Sequence, residues 1–101
     1  MAFTESAVET ALRDVFDPEL GQNIIDLGLV YGITVDAKTG KVGIVMTMTT
    51  PGCPAESYIT DGIRHRLSIM DGIAEVDVRV VWSPPWTPEM MSEEIRGYFG
   101  F

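Results

Sequence analysis

The chain has little basic charge, and it has no long apolar run. Lys and Arg total 7 against 15 Asp and Glu, which gives a formal net charge of −8 over 101 residues. A surface of this sign repels phosphate backbones, so nucleic acid is not an expected partner. No apolar stretch approaches the roughly 20 residues that cross a bilayer, and no secretory signal opens the chain. We therefore expect a cytoplasmic protein without a membrane partner.

Cysteine and histidine are equally scarce, with one of each. A single cysteine excludes an intrachain disulfide. His65 follows Cys53 by twelve positions, about 18 Å along a helix, so a Cys–His dyad within one chain is excluded. Structural zinc and iron–sulfur clusters usually take four Cys or His ligands, which this chain cannot supply alone. A metal at Cys53 would need ligands from a second chain or a client, and no stably bound cofactor is expected.

Hydrophobic residues make up 46% of the chain and charged residues 22%, as in one ordinary globular domain spanning 1–101. Apolar periodicity predicts an α+β two-layer sandwich in the order α-β-β-α-β-α, a small mixed sheet of about three strands with three helices. The strand order is not readable from the sequence. The predicted elements are a helix over Thr4–Phe16 with a Ser6/Glu9 capping box, strands around Tyr31–Val35 and Val42–Met48, a helix from Cys53 to Met70, a strand over Val76–Trp82 and a helix over Pro88–Tyr98.

The stretch Thr47–Glu56 connects a strand to a helix through Pro51-Gly52-Cys53-Pro54. This spacing predicts Cys53 at the helix N-cap, where free N–H groups and the helix dipole would lower the pKa of a thiol. The expected result is a reactive thiolate that can act as a nucleophile or a metal ligand. A lone cysteine that only packs in the core is the alternative.

Several other side chains are candidates for the same site. Asp17 and Glu19 surround Pro18, and Asp26 lies among apolar residues. Each acid could assist the thiol or could hydrogen-bond a turn. Thr49 and Thr50 could bond the sulfur or satisfy turn backbone. The segment Trp82–Trp86 could frame a groove or cap the core, and the methionines fit core packing better than a soft-metal site.

Four stretches together resemble the PaaD-like family of metal–sulfur cluster biosynthesis proteins, which have an iron–sulfur cluster assembly (FSCA-like) domain. They are Asp17–Leu20, Asp26–Val30, Thr49–Pro54 and Val81–Ser92, and they follow one another along nearly the whole chain. The longer phenylacetate-pathway members carry a further cysteine-containing tail. This chain ends at Gly100-Phe101 without another thiol, which argues against that role.

The resemblance implies an accessory factor, non-enzymatic rather than catalytic, in assembly or transfer of iron–sulfur clusters. Cys53 would be its functional residue, with Asp17, Glu19 and Asp26 nearby, and a cluster or metal ion would bind transiently. Expected partners are the assembly machinery and client apoproteins, and a homodimer would double the available thiols. A protein-interaction adaptor without metal chemistry and a small Cys-dependent hydrolase or transferase remain alternatives.

Overall fold

The structure is a computed structural model that describes residues 4–49 and 55–100. It confirms the predicted α+β class and the element order α-β-β-α-β-α, with an added short 3₁₀ helix. The elements are α1 (Glu5–Leu12), β1 (Val30–Asp36), β2 (Lys41–Met46), α2 (Ala55–Ser68), β3 (Glu75–Val80), the 3₁₀ helix (Pro88–Met90) and α3 (Glu93–Phe99).

The three strands form one mixed sheet in the order β1-β2-β3. The β1–β2 hairpin is antiparallel and aligns Ile33 with Ile44, while β2 and β3 run parallel and align Ile44 with Val78. Helices α1 and α2 contact each other and pack on β1 and β3 respectively. Because a parallel pair needs a crossover connection, α2 links the C-terminal end of β2 to the start of β3.

The core lies between this sheet and the helices. Val42, Ile44 and Met46 of β2 are almost fully buried, because β2 is the central strand. The methionines at 46, 48 and 91 are also buried, which supports core packing as their role. Among the described residues, no helix has the length and apolarity that crossing a membrane requires.

The first helix is shorter than its apolar pattern predicted. Thr4 is the N-cap, since its Oγ1 accepts a hydrogen bond from the Ala7 N–H at 3.1 Å, and the predicted Ser6 capping box is wrong. The helix ends at Leu12 because the chain then turns into a short antiparallel bridge between Phe16 and Asn23. Phe16 is consequently exposed and does not join the core.

The predicted helix over 88–98 is two elements. Ser92 interrupts it, because its backbone N–H donates to the Asp26 carbonyl at 2.7 Å and its backbone is extended. The Ser92 hydroxyl then caps α3 by accepting from the Ile95 N–H at 3.4 Å. A serine with a partner outside the helix thus starts a new helix where the apolar stripe suggested a continuous one.

Candidate functional site

Three loops carry the candidate residues: the first follows α1 over residues 13–29, the second follows β2 from residue 47, and the third follows β3 over residues 81–87. They meet at one apolar pocket. The pocket has a volume of about 330 Å³. Leu20 comes from the first loop, Thr49 from the second and Trp86 from the third. The other described lining residues are Pro88, Met91 and Phe99. The structure therefore brings together loops that are far apart in sequence.

The second loop begins at the C-terminal end of β2, where the backbone is hydrogen-bonded on both sides. The Thr47 N–H donates to the Leu29 carbonyl at 2.8 Å, and the Val81 N–H donates to the Met46 carbonyl at 2.7 Å. Thr47 is fully buried, and its hydroxyl finds no hydrogen-bond partner in the described part of the chain. The end of β2 is thus held on both sides, which fixes where the second loop starts.

Two predicted site residues of this loop, Thr50 and Cys53, lie outside the described residues. The helix that follows begins at Ala55, with Glu56 in its first turn. Thr49 is half-buried and faces the pocket. The predictions that Cys53 lies at a helix start and next to carboxylates therefore stay predictions.

Asp17 is one of two buried polar or charged residues among those described, with 4% of its surface exposed. Its Oδ1 accepts hydrogen bonds from the N–H groups of Glu19 at 2.7 Å and Leu20 at 3.2 Å. Its own N–H donates to the Gln22 carbonyl at 2.9 Å. Asp17 therefore organises the turn that presents Leu20 to the pocket, as expected of a short acid that hydrogen-bonds a turn.

Asp26 joins three parts of the chain. Its Oδ1 accepts from Arg13 Nη1 at 2.8 Å, and its Oδ2 accepts from Asn23 Nδ2 at 2.8 Å. Its backbone carbonyl accepts from the N–H of Ser92. The Asn23 hydrogen bond is the largest cause that lowers the pKa of Asp26 below 3.8, with partial burial opposing it and Arg13 adding to it. Both carboxylate oxygens are therefore engaged in holding the loop.

Glu19 is exposed on the same turn as Asp17. Of the three predicted acids, it is the one on an exposed surface next to a pocket residue, Leu20. Across the described ranges, no group of three or more His, Cys, Asp or Glu side chains could hold a metal ion.

The third loop is tied to the first by backbone-directed contacts. The Trp86 indole Nε1 donates to the Leu27 carbonyl at 2.7 Å, and the Tyr31 hydroxyl donates to the Pro84 carbonyl at 2.8 Å. Gly28, at a φ of 75°, lies against the Met90 backbone. These contacts hold Trp86 in the pocket wall, where it also packs against the hydrophobic core.

The apolar pocket residues Leu20, Pro88, Met91 and Phe99 were not among the sequence candidates. Apolar side chains carry no chemical signature of a site, since core and pocket walls have the same composition. The one available signal was the pair of tryptophans around Ser83-Pro84-Pro85, which indicated a rigid aromatic loop.

A three-stranded mixed sheet, helices packed on it and a pocket formed by three loops define a small two-layer α+β domain. The profile of the family described as "Iron-sulfur cluster assembly protein" matches residues 5–80, and the chain belongs to this family. The predicted resemblance is thereby confirmed.

Curated relatives and a solved structure agree with this assignment. An Fe-S protein maturation auxiliary factor of Porphyromonas gingivalis is 39% identical over 98 residues, covering 97% of this chain and 92% of the relative. The Staphylococcus aureus factor SufT is 46% identical over 78 residues, covering 77% and 88%. The crystal structure of a domain of unknown function from Bacillus anthracis is 40% identical, with a TM-score of 0.90 and coverage of 96% and 92%.

Proposed function

We propose that this protein is a cytosolic auxiliary factor that promotes iron–sulfur cluster delivery to client apoproteins, and that its whole length acts as one FSCA-like domain. The family match over residues 5–80, which spans position 53, is the observation that carries the proposal. The names of the similar proteins from P. gingivalis and S. aureus support it. The cluster is the cargo of this factor and is held only during transfer.

We assign the cargo contact to the Cys53 thiolate. The chain has one cysteine and one histidine, so a cluster bound here must share its remaining ligands with a client or a donor. This ligand count favours transfer over storage. Assembly proteins and client apoproteins are accordingly the proposed partners.

The pocket next to Thr49 supports this assignment in a second way. Its walls are mostly apolar, with Leu20, Trp86 and Phe99 among the described lining residues. Thr49 precedes Cys53 by four positions in the sequence, and an apolar shell near a metal–thiolate bond limits the access of water to it. We propose that Asp17 and Asp26 support Cys53 by holding the first loop in place, and that Glu19 lies on the exposed side of the same turn.

Anaerobic transfer to a purified apoprotein client tests the proposal. The protein is supplied with ferrous iron and sulfide, and the recovery of client absorbance and activity is followed over time. The wild type should accelerate recovery, and Cys53→Ser should not. A double variant, Cys53→Ser with Ser57→Cys, keeps one thiol but places it four positions later, in the first turn of α2, and it should also fail. Equal recovery with all three proteins would disprove a role for the Cys53 sulfur.

The rate of Cys53 alkylation by iodoacetamide as a function of pH tests the state of the thiol independently of any client. A helix-start thiolate should alkylate with a midpoint below the ordinary cysteine pKa of about 8.5. A midpoint at or above that value would indicate a packed thiol. That result would favour the interaction adaptor that needs no metal chemistry.

A further inference from the structure

We propose that the outer edge of β3 binds an extended segment of a partner protein as a fourth, antiparallel strand, and that this segment alternates apolar with charged residues in the order Val-Glu-Val-Lys-Val-Lys or its chemical equivalent. Within the described ranges, β3 is an edge strand that pairs with β2 only. Edge strands present unpaired N–H and C=O groups that an added strand can bind.

The hydrogen-bonding groups that face outward can be assigned from the register. The N–H groups of Glu75 and Val81 donate to Gly40 and Met46 on the β2 side, at 3.1 and 2.7 Å. The odd-numbered residues of β3 therefore direct their N–H and C=O groups towards β2, and the even-numbered residues direct theirs away from it. The N–H and C=O groups of the three valines at 76, 78 and 80 consequently face away from β2.

The edge of β3 is regular and is not crossed by the following segment. After β3 the chain passes towards β1, where Tyr31 contacts Pro84. The other edge strand, β1, has an irregular register between Val30 and Gly32. Irregularities of this kind discourage strand addition, so β3 is the better template.

Charge defines the side chains of the added strand. On the face of β3 away from the helices, Glu75, Asp77 and Arg79 are all exposed. An antiparallel strand places its own residues directly opposite these three, and opposite charges there are favourable. Read from its N-terminus, the strand therefore needs an acid opposite Arg79, then a base opposite Asp77 and a base opposite Glu75.

The helix side of the same edge suits apolar side chains. The three β3 valines are half-buried there, and a notch of about 270 Å³ extends beside the start of β3. Its described lining is Arg64, Ser68, Ile73, Ala74 and Val76. An apolar side chain of the added strand can enter this notch beneath α2.

A second copy of the chain is the less suitable occupant. Helix α2 packs directly on β3. A second β3 would bring its own α2 to the same side of the sheet, with strands only about 4.8 Å apart, whereas packed helices need about 8–10 Å. A peptide strand has no such helix, so we commit to a partner segment.

Two peptides of identical composition test the proposal on the full chain by NMR titration. Val-Glu-Val-Lys-Val-Lys has the matching charge order, and Val-Lys-Val-Glu-Val-Lys exchanges two charges without changing the net charge. The first should bind about tenfold more tightly, since two cross-strand pairs change from attraction to repulsion. It should also slow amide hydrogen exchange at Val76, Val78 and Val80, while Asp77 and Arg79 change little.

A matched protein variant exchanges the two charges of β3 that face those peptide positions. The double variant Asp77→Arg with Arg79→Asp keeps the composition of the chain and should reverse the peptide preference. N-methylation of the central valine of the first peptide should abolish binding, because it removes a backbone donor. Cys53→Ser should bind as the wild type does, so failure of cluster transfer and failure of strand binding are separate results.

Three outcomes would overturn the inference. They are equal affinity for the two peptides, shift changes that map to β1 or to the pocket at Thr49 instead of β3, and amide protection at Val78 that rises with protein concentration without peptide. The last outcome would identify a second copy as the occupant.

Discussion

Replacing Gly28 by alanine should detach the third loop from the first. Gly28 has a φ of 75°, and a Cβ added there would collide with the carbonyl oxygen of Met90 and lie 2.6 Å from its carbonyl carbon. Both the backbone conformation and the space therefore require glycine. The expected cost has two parts, which a second glycine allows us to separate.

Gly21 is the matched control. It has a similar φ of 71°, but an added Cβ would meet nothing within 4 Å. Gly21→Ala should cost only the left-handed conformation, about 1–2 kcal/mol, less about 0.4–1 kcal/mol for the stiffer unfolded chain. The net loss in the free energy of unfolding is about 1 kcal/mol.

Gly28→Ala should add the loss of the contacts between the loops. Moving Met90 away also moves Trp86 from the Leu27 carbonyl and Ser92 from the Asp26 carbonyl. Each hydrogen bond contributes about 1 kcal/mol net, so about 2 kcal/mol is added. A total near 3 kcal/mol is a large part of the 5–15 kcal/mol typical of a domain.

Urea unfolding followed by circular dichroism measures both variants, and tryptophan emission reports the position of Trp86. Gly28→Ala should lose about 2 kcal/mol more than Gly21→Ala, by the estimates above. Its native-state emission should shift to longer wavelength as Trp86 becomes hydrated. Equal losses in the two variants, with unchanged emission, would refute the contact between Gly28 and the 3₁₀ helix as a structural requirement.

Two further substitutions test the contacts that hold the first and third loops. Because the pKa of Asp26 is lowered on folding from 3.8, its carboxylate contributes stability above that pH that is lost as pH falls through the folded-state pKa. Asp26→Asn should therefore destabilise at pH 7 and much less in acid, as measured by urea unfolding at each pH, and a pH-independent difference would contradict this. Trp86→Phe should lower the free energy of unfolding by about 1 kcal/mol, because it removes the indole hydrogen bond to the Leu27 carbonyl. Trp82→Phe, at an exposed position, should change the free energy of unfolding little.

Local patterns predicted the elements well where the chain interacts mainly with its neighbours. The β1–β2 hairpin and α2 follow from alternation and from apolar spacing, because each presents one face to the core. The class of the fold followed from their order. The parallel alignment of Ile44 with Val78 could not be predicted, since register between distant strands depends on tertiary packing.

The ends of elements and the roles of the acids depended on distant partners. Phe16 left the helical pattern because it pairs with Asn23, and Ser92 began a new helix because it bonds Asp26. Asp26 finds Arg13 thirteen residues earlier, a separation that no local motif shows. The sequence did indicate which three loops are special, but their meeting at Leu20, Thr49 and Trp86 required the fold.

The pocket wall is formed by residues from two stretches of the chain, one inside the family match and one after it. The family match ends at residue 80, and four of the six described lining residues come after it, namely Trp86, Pro88, Met91 and Phe99. A graft that exchanges residues 81–100 with those of a relative would reshape most of this wall and leave the sequence of residues 5–80 unchanged. The shape of the pocket wall can therefore be varied without altering the residues that the family match covers.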